Sequence, residues 1–247
     1  MDQSLKLKRE PIGDGKSICV SSHHTFGTDA VLLSHFAAAK NGDRLVDLGT
    51  GCGIIAFLML RDKNLASAYG VDISAEAISL AKISAKECQF DTFTAVHSDL
   101  KELKGKVPMG SNTLVTCNPP YKAAGAGLKN PDSIEAAARH EVSCNLADIV
   151  SVGARLLQTG GRLCMCHRPE RLAELMDLMR EYKVEPKRLR LVAKCVGEKP
   201  WLVLVEGRRC GNTALTIEPT LYVEDGQGNF SREMIEIYGS YKEAYLK

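Results

Sequence analysis

Asp47-Leu48-Gly49-Thr50-Gly51-Cys52-Gly53 decides how this chain is read. It follows a short apolar run, Arg44-Leu45-Val46-Asp47-Leu48, and opens into a longer one, Gly53 to Arg61, whose length suits a helix. A strand that ends in a glycine-rich turn and continues as a helix is the first unit of a ligand-binding α/β sheet, because glycine lets the backbone turn tightly and approach a ligand closely. The spacing of the glycines separates ligand classes. A dinucleotide fingerprint is GxGxxG, with pyrophosphate on the helix N-terminus. Here the third glycine comes one residue early, giving DxGxGxG. That suits a cofactor without phosphate, such as S-adenosylmethionine, which needs no anion seat at the helix end.

Outward from this turn, short β-rich runs alternate with helical stretches. Upstream, Thr28 to Ala39 reads as a helix with Thr28 or Asp29 near its N-terminus. Downstream come a strand at Ser67 to Asp72, a helix opened by Ser74, a strand at Thr92 to His97, and a strand at Asn112 to Cys117. The stretch from Lys122 to Ala138 reads as a long loop, of the kind that often carries function. A helix from Leu146 is expected to stop at Gly160-Gly161, followed by a strand at Arg162 to His167 and a helix at Glu170 to Tyr182. Two last strands, Leu189 to Lys194 and Trp201 to Glu206, have no helix between them and should pair antiparallel. The expectation is an α/β, Rossmann-like fold: seven strands in a mostly parallel sheet, the last antiparallel, with helices on both faces. Residues 1–40 are expected to pack on the cofactor site and 41–247 to form the main domain.

The chemically suggestive residues fall at strand ends, where such sheets bind ligands. Asp72 ends the second strand, where an acid can accept hydrogen bonds from ribose hydroxyls; NAD sites use the same device. Asp99 follows the third strand and can meet the adenine of the cofactor or simply cap a turn. Asn118-Pro119-Pro120-Tyr121 follows the fourth and is the most specific signal. An exocyclic amino nitrogen on adenine has its lone pair delocalised into the ring, so it is a poor nucleophile. Two acceptors on its N–H groups favour a pyramidal nitrogen and free that pair. The Asn118 side-chain oxygen and the Pro119 carbonyl can supply them, the prolines stiffen the turn, and Tyr121 offers a face for a flipped base. Transfer would then rest on in-line orientation rather than on acid–base groups.

Composition narrows the setting. The chain has 247 residues, 45% hydrophobic and 25% charged, enough for a large core. A net charge of +2 does not announce a nucleic-acid binder, so an RNA site must come from local clustering. Nine cysteines, an odd number with no CxxC pair, argue against a zinc site or disulfide framework and for a reducing compartment. The polar stretch from Met1 to Gly15 is not a signal peptide, and no apolar run is long enough to span a bilayer. A cytoplasmic protein without a metal, a membrane or an obligate protein partner is expected.

The motifs DLGTGCG, VDIS, SDL and NPPY, in that order, resemble class I methyltransferases of the amino-methylating group. The segment His24 to Leu33, Arg139-His140-Glu141 and the run Trp201 to Arg209 narrow the resemblance to the bacterial family that makes N6-methyladenosine beside the anticodon of valine tRNA, at adenine 37. The resemblance covers roughly residues 5–245. It implies S-adenosylmethionine as cofactor and the anticodon stem-loop of a tRNA as partner. It implies that Phe26, Thr28 and Asp29 line the methionine end of the cofactor, and that Asp47, Gly49, Gly51 and Gly53 wrap it. Asp72 and Ile73 would hold the ribose, Asp99 the adenine, and Asn118 to Tyr121 the target. It assigns no role to Arg139-His140-Glu141. Cys52 and Cys117 flank the site and read as small core residues.

For RNA, Arg188, Arg190 and Lys194 fall in one strand-like run, where alternation would set them on one face as a phosphate stripe. Lys122 and Lys129 sit in the long loop, which could close over the stem-loop. Three alternatives share parts of the pattern. Ribosomal-RNA amino methyltransferases pose the same chemistry. Release-factor glutamine methyltransferases also carry NPPY but have an N-terminal helical domain, for which about forty residues leave no room. An NAD-dependent oxidoreductase would need the other glycine spacing.

Overall fold

The computed structural model describes residues 7–119 and 145–239. The described chain opens with a hairpin of β1 (Lys8–Gly13) and β2 (Lys16–Val20), turned through Asp14 and Gly15 at positive φ. Sequence reading had only a polar segment there. Charged residues on the outer face conceal Ile12, Ile18 and Cys19, which are fully buried. Next come α1 (Thr28–Ala37), β3 (Arg44–Leu48), α2 (Ile54–Asp62), β4 (Ser67–Asp72), α3 (Ala75–Glu87), β5 (Phe93–His97) and β6 (Asn112–Cys117). The second half holds α4 (Leu146–Leu156), β7 (Leu157–His167), α5 (Leu172–Glu181), β8 (Val184–Ala193), β9 (Leu202–Arg209), β10 (Thr216–Ile217), β11 (Leu221–Tyr222) and α6 (Arg232–Tyr238).

The main sheet runs β10-β8-β9-β7-β6-β3-β4-β5, with β11 also on β8. The pairs linking β7, β6, β3, β4 and β5 are all parallel, and β9 is antiparallel to both neighbours. The seven expected strands are present with the last of them antiparallel. Two short strands, β10 and β11, bring the sheet to nine. Gly160 and Gly161 do not separate α4 from β7, which starts directly at Leu157. A Cβ on Gly161 would come within 2.9 Å of the Asn112 carbonyl, so glycine lets β7 run close beside β6.

Local chemistry sets the helix starts. The Ser74 hydroxyl accepts from the Ala77 amide and opens α3. Asn145 and Asp148 form a reciprocal capping box on α4. Thr28 and Asp29 open α1 as expected, with Gly27 at the N-cap. Two apolar clusters cover the two faces of the sheet. One gathers α1, α2, the hairpin and Met234 and Ile237 of α6; the other gathers α4 and α5 against Val46, Leu48 and Val115. The face-to-face burial fixes the strands' register, and that register fixes which residues meet at their carboxyl ends.

Candidate active site

Parallel pairing sets Leu48 level with Val71 and with Cys117, so the turns after β3, β4 and β6 converge at one rim. A cavity of about 380 Å³ opens there, a size suited to a small-molecule ligand. Gly49, Gly51, Asp72, Ile73, Asp99, Asn118 and Pro119 line it, seven residues expected at the site. His23, His24, Thr25, Leu48, Leu100, Cys117 and Ile149 line it as well. His24 and Thr25 lie in the segment that carried the resemblance. Ile149 sits on α4 beyond the long loop, and no local motif points to it.

The turn is held from both sides. Val71 carbonyl accepts from the amides of Gly49 and Thr50 at 2.9 Å each. One oxygen of Asp72 accepts from the Gly51 amide at 2.9 Å, and the other from the Ser74 amide at 2.8 Å. Gly49 and Gly51 have φ of 69° and 55°, and a Cβ on either would meet nothing within 4 Å. Bare backbone therefore faces open space, as a cofactor laid against the turn requires. Gly53 differs: a Cβ there would lie 2.3 Å from the Phe57 ring, so its glycine serves packing.

Asp47 is fully buried and does not line the cavity. Its oxygens accept from the hydroxyls of Thr50 and Thr116, each at 2.7 Å, so it braces the turn. Burial pushes its pKa up to about 6, against the pull of those two hydrogen bonds. Asp99 lines the cavity, and its side chain caps the turn that follows by accepting from the Lys101 amide at 2.8 Å. Cys52 and Cys117 are each 2% exposed, and burial pushes the Cys52 thiol up to about 12. Neither has the exposure a nucleophile needs.

Asn118 is gripped at both ends of its amide. Its Nδ2 donates to Asp29 Oδ2 at 3.1 Å, and the Cys166 thiol donates to its Oδ1 at 3.1 Å. A carboxylate only accepts, so the amide nitrogen must face Asp29 and the oxygen must face the other way. Asp29 thus touches Asn118 and lies outside the lining of the cofactor cavity. Phe26 packs against the core, and Thr28 accepts from the Tyr238 hydroxyl at 3.2 Å. Neither borders that cavity. Pro120, Tyr121, Lys122, Lys129, Arg139-His140-Glu141 and the loop 122–138 lie outside the described residues.

Two residues of the expected phosphate stripe are ion-paired within the fold. Arg188 pairs with Glu206 at 3.0 Å and Glu218 at 3.1 Å and lies over the Phe36 ring. Arg190 pairs with Glu233 at 2.7 Å. Both arginines are engaged within the fold, and the acids that hold them are distant in sequence. They border a larger cavity, about 610 Å³, among the C-terminal ends of α1 and α2, away from the rim that carries Asn118. Lys194 alone of the three is largely exposed.

Charge separates the cofactor classes. The cavity at the rim has two carboxylates, Asp72 and Asp99, and among its described lining residues no lysine or arginine. That suits a cation bearing ribose hydroxyls and opposes a pyrophosphate. The model of the methyltransferase small domain matches residues 20–184. The chain belongs to the methyltransferase small domain family. Relatives of this methyltransferase include a tRNA1(Val) (adenine(37)-N6)-methyltransferase of Parabacteroides distasonis, 30% identical, with 73% of this chain and 75% of that one covered. A protein of the same name from Porphyromonas gingivalis is 28% identical over 85% of this chain and 86% of its own. Among solved structures, a predicted O-methyltransferase from Agrobacterium tumefaciens superposes with a TM-score of 0.69 at 19% identity, covering 87% and 97% of the two chains. That likeness is one of fold. Among the described residues no helix of the methyltransferase is long and apolar enough to cross a membrane.

Proposed function

We propose that this methyltransferase moves the methyl group of S-adenosylmethionine onto the exocyclic N6 of an adenine in tRNA, the adenine beside the anticodon of valine tRNA (position 37) being the preferred site. The names of the relatives support the substrate. The observation that carries the chemistry is the amide of Asn118, held by Asp29 and Cys166 at the edge of the cofactor cavity. When bound, the cofactor supplies an electrophilic methyl group on a positively charged sulfur. Gly49 and Gly51 would give it bare backbone to lie against, Asp72 would hold its ribose and Asp99 its adenine, and the two carboxylates would favour its positive charge. Thr25 and His24 close the cavity from the N-terminal segment.

Asn118 accepts one N–H of the target through Oδ1, and the Pro119 carbonyl accepts the other. Both acceptors shift the nitrogen toward a pyramidal form with a free lone pair. Because Asp29 takes the amide nitrogen, Oδ1 is the end left to accept, and that oxygen carries a second lone pair beside the one the Cys166 thiol takes. No side chain need take the proton in the transition state; it leaves the product ammonium afterwards. The main contribution is orientation and preorganised hydrogen bonding. By the resemblance, Pro120 and Tyr121 would also contact the target. With tRNA as its substrate, the expected compartment is the cytoplasm.

The test is labelled methyl transfer from S-adenosylmethionine into unmodified total tRNA, with nucleoside analysis of the product. Label in N6-methyladenosine is the expected result. Label in ribosomal RNA or in release factor, with none in tRNA, would keep the chemistry and replace the substrate.

A further inference from the structure

A second concavity, about 370 Å³, lies beside the first on the same rim. Asp29 joins the two, since its carboxylate borders the second and accepts the amide of Asn118. Strand register brings the other walls together. Cys117 of β6 is level with Met165 of β7, so Arg168 follows β7 on the edge where Asn118 follows β6. β9 starts from that same edge, which sets Trp201 just before it. The Trp201 amide donates to the Val192 carbonyl near the end of β8, and Lys194 comes next.

These residues form a particular combination. Trp201 is the chain's single tryptophan; it is half-buried, packed in part on the core. The exposed guanidinium of Arg168 lies 5.9 Å from its ring centroid and donates to its carbonyl at 3.1 Å. Lys194 is 56% exposed and 3.6 Å from Glu224, a surface pair that holds it only weakly. An aromatic plane flanked by cations is what an unpaired nucleotide binds: the base stacks and the phosphates are neutralised.

We infer that this concavity holds a nucleotide neighbouring the methylated adenine in single-stranded RNA, its base against Trp201 and its phosphates against Arg168 and Lys194. The inference rests on the proposed RNA methylation and adds to it where the RNA lies. Bringing an adenine out to Asn118 strains its neighbours, and a site one step away, on the same rim, holds them in place. It also moves the RNA contact from the Arg188–Arg190 face to the end of the same strand, where Lys194 stands.

The single tryptophan makes the test direct. Unmodified tRNA is titrated into the unaltered protein with S-adenosylhomocysteine present, and binding is followed both by anisotropy of labelled RNA and by Trp201 emission. The expected result is saturable quenching that tracks the anisotropy and weakens with salt. A second measurement uses Trp201→Ala and the pair Arg168→Gln, Lys194→Gln. Each is expected to lower kcat/KM for tRNA by about tenfold or more, with S-adenosylhomocysteine affinity kept and the double variant's salt slope shallower by about 0.7 per lost contact. RNA that binds and is methylated with Trp201 emission unchanged would overturn this inference and leave the proposed function standing. Protein that neither binds nor methylates RNA would overturn both.

Discussion

Replacing Asp47 by Asn tests the buried brace of the cofactor turn. In the folded chain burial lifts the Asp47 pKa from its ordinary 3.8 to about 6. Between those values the folded protein keeps a proton that the unfolded chain has released. Stability therefore falls as pH rises through this window, opposite to the usual behaviour of a paired carboxylate. At about 1.36 kcal/mol for each tenfold change in acidity, ionised Asp47 costs the fold about 3 kcal/mol above pH 6 relative to below pH 4. Asp47→Asn has nearly the same shape, can still bond Thr50 and Thr116, and cannot ionise. Its stability relative to the parent should rise by up to about 3 kcal/mol from pH 4 to pH 7.5. Urea unfolding of both proteins across that range measures this, and the other titrating groups cancel in the difference. A difference that stays flat within about 0.5 kcal/mol would refute the claim that burial sets the state of Asp47.

Three further outcomes are expected. Asn118→Ala should lower kcat by at least about a hundredfold while S-adenosylhomocysteine affinity, read by calorimetry, changes less than about threefold; loss of cofactor affinity instead would contradict its role. Asp29→Ala frees the amide of Asn118 to turn and should lower kcat by about tenfold or more, consistent with the loss of a hydrogen bond to a charged group, with the same calorimetric control. Arg162, its side chain 10% exposed, pairs with Asp43 at 3.1 Å and Glu206 at 3.6 Å, so Arg162→Ala leaves two buried acids short of a partner and should cost about 3–5 kcal/mol in urea unfolding.

Much of the fold was legible because β3, β4 and β6 are buried on both faces and read as near-continuous apolar runs closed by glycine, asparagine or aspartate. The rim residues followed, since a parallel sheet leaves little choice about where its turns converge. The hairpin of β1 and β2 was not legible, although Gly13-Asp14-Gly15 is a turn signal, because half of β1 is charged, β2 opens on Lys16-Ser17, and only Ile12, Ile18, Cys19 and Val20 reach the core. The ion pairs of Arg188 and Arg190 were hidden for a different reason. Alternation does set them on one face, but their partners Glu206, Glu218 and Glu233 arrive from segments whose position only the folded chain defines. Asp29 shows the same limit: its bond to the amide of Asn118 spans 89 positions, and no local motif announces it.

The short strands β10 and β11 gain a meaning from where they lie. β8 is a ten-residue strand with one neighbour in β9, and its other side would present a row of unmatched amides and carbonyls to the solvent. Thr216-Ile217 and Leu221-Tyr222 cover that side at two points, with Pro219 between them, and the amides of Glu218, Val223 and Glu224 extend the cover to the carbonyls of Leu189, Ala193 and Lys194. The stretch after Arg209 thus works as a selvedge that keeps the sheet from being continued by a second molecule, and without it the edge of β8 should be open to strand-to-strand pairing with another copy.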